Sequence, residues 1–165
     1  MKKYLLLLMI FICSFSFSAE PVDFKVKLVK GKVFPEFVLE KLSGTKELST
    51  EVFDKNKKTL IVLAAEWCPA CQWEMGQLAK FYESNKTKYN IAVIFIRENS
   101  SESKVKEYID YNNYTFPVYF DYSGKILQGT GVESIPTNIV LDKNRKISAV
   151  KSGIWEEGDF INNLK

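Results

Sequence analysis

The sequence contains no histidine among its 165 residues. This absence excludes histidine-ligated metal sites, haem attachment through a Cys-x-x-Cys-His motif, and catalysis by Ser-His or Cys-His pairs. A strong excess of charge of one sign is also lacking, because 23 basic residues face 20 acidic ones. So balanced a chain gives no reason to expect nucleic acid as a partner. Any chemistry must therefore come from cysteines, carboxylates, lysines or the backbone.

Glycine and proline are also scarce, with 8 and 5 residues, and the chain has no segment rich in them that would mark a linker. Together with a hydrophobic content of 46%, this excludes collagen-like, low-complexity and intrinsically disordered classes. The length suits one domain of roughly 150 residues, which is long enough to bury a sizeable core.

The N-terminus has the features of an export signal. Met1-Lys2-Lys3 supplies positive charge, and residues 5–17 form an apolar run, diluted by serines, that is too short to span a bilayer comfortably. Small residues at Ser16 and Ser18 predict cleavage after Ser18. The prediction is therefore a signal peptide over residues 1–18 and one domain over residues 19–165.

Two other fates of this segment stay open. It could remain as an uncleaved signal anchor, and the protein would then be linked to a membrane through this segment. Alternatively, Cys13 could carry a lipid, although Ile12 is bulky where a lipoprotein signal has a small residue. Cleavage would remove Cys13 and leave Cys68 and Cys71 as the only cysteines of the exported domain.

These two cysteines are separated by only two residues. A disulfide that closes so short a loop stabilises a fold little, because the stabilisation grows with loop length. Two cysteines without histidine cannot complete a four-ligand zinc site, so we predict neither a metal nor a cofactor. A single such pair in an exported protein favours redox chemistry, and the alternative is a purely structural pair.

Hydrophobic patterning predicts an α/β fold with a mixed sheet between helices. Apolar runs over residues 59–64 and 91–96 lack alternation, which is typical of central strands covered on both faces. The other predicted elements are strands over 34–39, 46–48, 116–120, 137–141 and 147–151, helices over 49–53, 69–88 and 155–164, a helix opening at a capping box of Asn99 and Glu102, and a short helix or loop over 122–131.

The cysteine pair lies where a central strand gives way to a long helix. Cys68 is expected at the N-terminus of that helix, where unpaired N–H groups and the helix dipole favour an anion and hence the nucleophilic thiolate. Pro69 suits the first helical turn, because its missing N–H is not needed there. Cys71, one turn further in, should be less exposed and close enough to displace a substrate sulfur.

The segment EWCPACQWEM, from Glu66 to Met75, resembles the active-site segment of the extracytoplasmic thioredoxin-like proteins of the TlpA/ResA group. The resemblance continues through residues 116–121, 134–137 and 139–142, and it covers the chain from about Phe34 to the C-terminus. It implies a thioredoxin fold with an added N-terminal β-hairpin, export or membrane tethering, and thiol–disulfide exchange. The implied partners are client proteins with disulfides and a membrane protein that supplies electrons.

The resemblance also implies a catalytic role for Glu74, since ResA-like members have an acid here that handles the proton of the thiols. Glu74 follows Cys71 by three residues and therefore shares its helix face. A partly buried carboxylate could accept the Cys71 proton. Val62 occupies the position of the buried aspartate of cytosolic thioredoxins, so the proton needs this other route. The alternative for Glu74 is to complement the helix dipole from the first turn, and Glu66 is expected to be solvated.

Substrate binding is expected at Trp67, Pro69, Ile135 and Pro136. The resemblance implies a cis Ile135-Pro136 bond that exposes backbone groups of Ile135 to an extended client segment; the alternative is a proline that merely begins a strand. Trp67 is expected to form a flat surface beside Cys68, with a core aromatic residue as the alternative. The remaining large aromatic residues of the region are expected to pack within the fold: Trp73, Phe81, Tyr82 and Trp155.

The predicted reaction is reduction of a client disulfide. Cys68 attacks the client, and Cys71 resolves the mixed disulfide. The Pro69-Ala70 dipeptide lacks the histidine of strong periplasmic oxidants, which favours a reductase over an oxidant or isomerase. Cytochrome c maturation and supply of electrons to a methionine sulfoxide reductase are two pathways that such a protein could serve.

Two further alternatives stay open. The first is a non-catalytic thioredoxin-like module for binding or chaperoning. The second is a thiol peroxidase, which usually needs an arginine near the thiolate. Arg97 and Arg145 are the only arginines, and both are remote from the cysteines in sequence.

Overall fold

The computed structural model describes residues 24–165, so the predicted signal peptide, its cleavage after Ser18 and Cys13 lie outside the described residues. No helix within residues 24–165 has both the length and the apolar character needed to cross a membrane. In chain order the elements are β1 (Val38–Glu40), β2 (Lys46–Leu48), α1 (Ser49–Val52), β3 (Thr59–Ala64), α2 (Pro69–Asn85), β4 (Asn90–Ile96), α3 (Glu102–Asn112), β5 (Val118–Asp121), α4 (Lys125–Thr130), β6 (Thr137–Leu141), β7 (Ile147–Ser152) and α5 (Glu157–Leu164).

The central sheet has five strands in the order β5-β4-β3-β6-β7. Strands β3, β4 and β5 are parallel, whereas β6 is antiparallel to both β3 and β7. The strands β1 and β2 form a separate antiparallel hairpin near the N-terminus. A mixed sheet between helices and an N-terminal hairpin were both predicted, and both are confirmed.

The core has two layers because β3 is apolar on both faces and is buried along its whole length. Leu60, Val62 and Ala64 face the layer that contains α2 and α5. Ile61 and Leu63 face the opposite layer, which contains the N-terminal aromatic residues. The side chains of β3 alternate between its two faces and thus contribute to both layers of the core.

Two of the predicted boundaries that differ from the structure have a clear physical reason. The predicted strand over 34–39 is reduced to β1, because Phe34 and Phe37 pack edge to face with ring centroids 5.5 Å apart and precede the ladder. The predicted capping box at Asn99 is replaced by a cap at Ser101, whose Oγ accepts a hydrogen bond from the Lys104 N–H. Asn99 instead has a φ of 58°, a left-handed conformation that asparagine tolerates, so it lies in the turn before α3.

Candidate active site

The two cysteines lie at the beginning of α2, as predicted. Cys68 is the N-cap residue, with φ −87° and ψ 116°, and its Sγ accepts a hydrogen bond from the backbone N–H of Cys71 at 3.4 Å. Pro69 occupies the first helical position, where no N–H is required. Both cysteines are free thiols. Cys68 retains 7% exposure and Cys71 retains none, so the expected difference in accessibility is confirmed.

Burial raises the pKa of the Cys71 thiol well above its usual value. The hydrogen bond to Cys68 and the negative charges of Cys68 and Glu74 raise it further, and a backbone hydrogen bond to Ala65 opposes them only in part. Cys71 is therefore protonated at neutral pH, and it needs a base before it can act as a nucleophile.

The loop before β6 brings a second segment against Cys68. The Ile135-Pro136 peptide bond is cis, as the resemblance implied. The Cys68 thiol donates a weak hydrogen bond to the Ile135 carbonyl, with Sγ and O 3.8 Å apart. Ile135 is half-buried and Pro136 is buried. The Thr137 hydroxyl donates to the Ser134 carbonyl at 2.6 Å, which fixes the loop on this side of Cys68.

The tryptophans of the region have different environments. Trp67 is 45% exposed, and its indole N–H donates to the Glu98 carbonyl at 2.9 Å, so it forms a fixed surface rather than part of the core. Trp155 is buried, as expected. The expectation that Trp73 packs within the fold is wrong, because this side chain is 59% exposed. Two residues after Cys71, it lies about 200° around the helix from that buried position.

The expectation that Glu66 is solvated is also wrong. Glu66 keeps only 8% of its surface exposed, and its Oε2 accepts a hydrogen bond from the Ser100 hydroxyl at 2.6 Å. The Gln72 side chain donates to the Glu66 backbone carbonyl at 2.7 Å. The turn between β3 and α2 therefore folds this residue inward against the turn that precedes α3.

Glu74 is fully buried behind the cysteines. Its Oε2 accepts a hydrogen bond from the Trp155 backbone N–H at 2.6 Å, and both carboxylate oxygens lie 3.1 Å from Nδ2 of Asn138. Burial raises the pKa of Glu74 to about 7, although these two donors and the charge of Lys151 oppose the shift. Since Glu74 lies beyond the first turn of α2, the alternative role as a first-turn partner of the helix dipole is wrong.

Asn138 is the residue of this site that sequence reasoning missed. It lies in β6 between Thr137 and Ile139 and has no exposed surface. The only signal in the sequence is an amide side chain directly before the apolar residues Ile139 to Leu141, and nothing in that pattern specifies its partner. Elsewhere, Arg97 donates to the Tyr122 carbonyl and Arg145 to the Phe34 carbonyl, so both guanidinium groups are engaged away from the thiols.

No group of three or more cysteine, aspartate and glutamate side chains within residues 24–165 is arranged to hold a metal ion. The arrangement at the beginning of α2 can instead exchange thiols with a disulfide. It has one thiol that retains 7% exposure, a second, fully buried thiol three residues further along the chain, and a buried carboxylate with a pKa near neutrality.

Comparison with known proteins agrees with this geometry. Residues 29–162 match the model of the Redoxin family. The chain belongs to this family. It is 24% identical over its whole length to thiol-disulfide oxidoreductase ResA of Geobacillus thermodenitrificans, of which it covers 93%. It is 30% identical, over 85% of its length, to thioredoxin-like protein YneN of Bacillus subtilis, of which it covers 81%.

Solved structures show the same fold for this Redoxin-family chain. StoA from Bacillus subtilis matches with a TM-score of 0.70 at 21% identity, over 79% of this chain and 97% of StoA. The exposed lipoprotein thioredoxin Etrx1 from Streptococcus pneumoniae matches with a TM-score of 0.68 at 25% identity, over 79% of this chain and 98% of Etrx1. The protein has a thioredoxin fold of the TlpA/ResA type and is a thiol–disulfide oxidoreductase.

Proposed function

We propose that this protein reduces disulfides of client proteins outside the cytoplasm and that a membrane thiol protein returns it to the dithiol form. The observation that carries the proposal is the division of accessibility between the two thiols. Cys68, next to the exposed Trp67, retains a small exposed fraction, whereas Cys71 and Glu74 have no exposed surface. A client sulfur can therefore meet only Cys68 first.

The reaction then follows in two displacements. The Cys68 thiolate attacks one sulfur of the client disulfide, so a mixed disulfide forms and the other client sulfur leaves as a thiolate that takes up a proton. Cys71 next gives its proton to the Glu74 carboxylate and attacks Cys68 Sγ. The second client sulfur leaves, and the products are a reduced client and a Cys68–Cys71 disulfide. Two electrons have passed to the client.

Four residues around Cys68 are suited to hold the client. Trp67 offers an exposed ring, and Pro69 forms the surface of the first helical turn. Ile135 and Pro136 precede β6, and an extended client segment could pair with the backbone of Ile135 beside the disulfide. The weak contact between Cys68 and the Ile135 carbonyl places that backbone next to the attacking sulfur.

The direction of transfer and the compartment are inferred from the sequence. The Pro69-Ala70 dipeptide has no histidine to stabilise a reduced thiolate, which favours a reductase. Residues 1–18 have the pattern of a signal peptide, and residues 19–165 would function in the periplasm or at the outer face of the cytoplasmic membrane. Apocytochrome c and a methionine sulfoxide reductase are two clients of suitable chemistry. Etrx1 of Streptococcus pneumoniae is an exposed lipoprotein, and this supports the proposed compartment.

The proposal is tested with insulin disulfides and dithiothreitol as the reductant. We expect the wild-type protein to accelerate insulin reduction and the Cys68→Ser variant to lose this activity. Equal rates for the two proteins would overturn the proposal and favour a non-catalytic binding module.

A Cys71→Ser variant should remain joined to its client through Cys68, and mass spectrometry of the trapped complex would then identify that client. A measured redox potential near that of strong oxidants would reverse the assigned direction.

A further inference from the structure

Asn138 is a polar residue at a fully buried position of the central sheet. It is fully buried in β6, next to Ile139 and Val140, which have no exposed surface either. In the register between β6 and β3, Asn138 lies opposite Val62, and both strands present these positions to the face that α2 covers. A buried amide in an apolar strand is costly unless it is hydrogen-bonded.

The partner of this amide is Glu74. The Asn138 Nδ2 group lies 3.1 Å from each carboxylate oxygen of Glu74. The backbone N–H of Trp155, in the segment before α5, donates a hydrogen bond to Glu74 Oε2 at 2.6 Å. Three elements therefore meet at one carboxylate: α2 carries it, β6 supplies the amide, and the segment before α5 supplies the backbone donor. The carboxylate is held in one orientation by donors and not by a buried cation.

The charged groups near Glu74 contribute little to stabilising its ionised carboxylate, so the hydrogen-bond donors have this role. On α2 itself the neighbouring titratable group is the Cys71 thiol, which is protonated and therefore uncharged at neutral pH. From β7 the cation of Lys151 favours the charged carboxylate, and from α5 the carboxylate of Asp159 opposes it. Lys151 and Asp159 lie 3.8 Å apart and partly neutralise each other. Hydrogen bonds are therefore the main favourable contacts of the ionised form.

We propose that Asn138 is a positioning residue that holds Glu74 in its ionised form and in the orientation needed to receive the Cys71 proton. This inference rests on the proposed function, since it concerns the second displacement of that reaction. Asn138 acts only through Glu74 and does not touch the reacting sulfurs.

The Asn138 amide can also form a hydrogen bond with Glu74 after Glu74 has received the proton. Within residues 24–165, Asn138 Oδ1 is buried and has no hydrogen-bond partner. A rotation of the amide about its terminal torsion would exchange Nδ2 and Oδ1, and Oδ1 would then accept a hydrogen bond from a protonated carboxyl. An asparagine can thus serve both protonation states, whereas a cation in its place would favour only one.

The test uses a matched pair of variants, Asn138→Val and Asn138→Thr. The two side chains have nearly the same shape and both suit a strand, but only threonine keeps a donor for Glu74. A donor to the charged form lowers the pKa of an acid, so loss of the donor must raise the pKa of Glu74. We expect the Glu74 titration midpoint to rise by about one pH unit in Asn138→Val and by less than half of that in Asn138→Thr.

Two readouts locate this effect. The Trp155 amide signal in ¹⁵N NMR follows the charge of Glu74 because that amide donates to its carboxylate. The acid limb of the pH profile of insulin reduction should shift upward by the same amount, so that the rate of Asn138→Val falls about tenfold at pH 6 and stays within about twofold at pH 9.

Unshifted midpoints in Asn138→Val would overturn the proposal, even if the variant is less stable, because a merely structural role would lower the melting temperature without moving the titration. Equal shifts in both variants would overturn it as well. Should Asn138→Val not fold, Asn138→Leu, which keeps the branched shape of asparagine, is measured against the same criterion. Absence of insulin reduction by the wild-type protein would count against the proposed function, whereas the NMR midpoint would still decide the role of Asn138.

Discussion

At the scale of single residues, the chemistry depends on what burial does to two acids of different kinds. Burial raises the pKa values of both Cys71 and Glu74. For Cys71 this keeps the proton on sulfur at neutral pH, and for Glu74 it brings the carboxyl close to the pH at which it can both take and release a proton. Burial therefore has two linked effects: the Cys71 thiol needs a base to lose its proton, and the Glu74 carboxylate becomes a base of suitable pKa.

A Glu74→Gln variant isolates this step. Glutamine keeps the size of the side chain but cannot accept the Cys71 proton, so the second displacement should slow by about a hundredfold while the attack by Cys68 continues. The mixed disulfide with a model peptide should therefore accumulate in rapid-quench experiments, and the acid limb near pH 7 should disappear from the rate profile.

The control for this variant is Glu83→Gln on the same helix. Glu83 is at the surface, where it accepts a hydrogen bond from the Thr115 hydroxyl and pairs with Lys86. Its replacement should leave the rate within about twofold. If Glu74→Gln resolved the mixed disulfide as fast as the wild-type protein, Cys71 would have another base.

At the scale of elements, the position of a site residue can be predicted from the sequence where a single local pattern determines the helix or strand that carries it. The unbroken apolar run of β3 followed by a proline-started helix placed Cys68 at a helix N-terminus without any tertiary information. The role of Glu74 was implied by the family resemblance, and its helical spacing to Cys71 agreed with that role. Asn138 could not be predicted in the same way, because its contact with Glu74 depends on the register of β6 against β3. Trp73 was misplaced because an aromatic residue alone does not reveal which face of a helix is buried.

The beginning of α3 shows a competition between two local signals that can be measured. Asn99 and Ser101 are both good N-cap residues. Of the two, only Ser101 has the extended backbone that is typical of an N-cap, with a φ of −151°. Ser101→Ala should therefore lower the free energy of unfolding by about 1 kcal/mol in urea titrations.

Asn99→Gly provides the comparison. Glycine adopts a positive φ readily, so this change at φ 58° should alter the free energy of unfolding by less than about 0.5 kcal/mol. A larger loss for Asn99→Gly than for Ser101→Ala would mean that Asn99 caps the helix in solution. Insulin reduction should be unaffected by both changes, because neither residue contacts the cysteines.

At the scale of the whole molecule, the buried carboxylate joins the site to the stability of the domain. Glu74 connects α2, β6 and the segment before α5 through its contacts with Asn138 and Trp155. The fold accepts an acid in its interior with a pKa of about 7, against a value of 4.5 for the exposed group. This difference has a direct thermodynamic consequence, because the folded state binds a proton more tightly than the unfolded chain does.

The stability of the reduced protein should therefore depend on pH with a defined sign. Below pH 4.5 Glu74 is neutral in both states, and above about pH 7 it is charged in both, so the penalty for burying the charge grows between these values. This one group should lower the free energy of unfolding by about 3 kcal/mol as the pH rises from 4.5 to 7. Urea titrations of the wild-type and Glu74→Gln proteins over this range would isolate its contribution, because the other carboxylates are common to both.

The glutamine variant should lose this decline and be the more stable protein at pH 8, at the same time as it loses the second displacement. Parallel pH curves for the two proteins would show that Glu74 titrates alike in the folded and unfolded states, and the proton acceptor for Cys71 would have to be sought elsewhere. A stability gain coupled to a loss of turnover would mean that the domain retains an unfavourable buried acid for its chemistry, since the contacts with Trp155, Asn138 and Lys151 offset the cost of burial only in part.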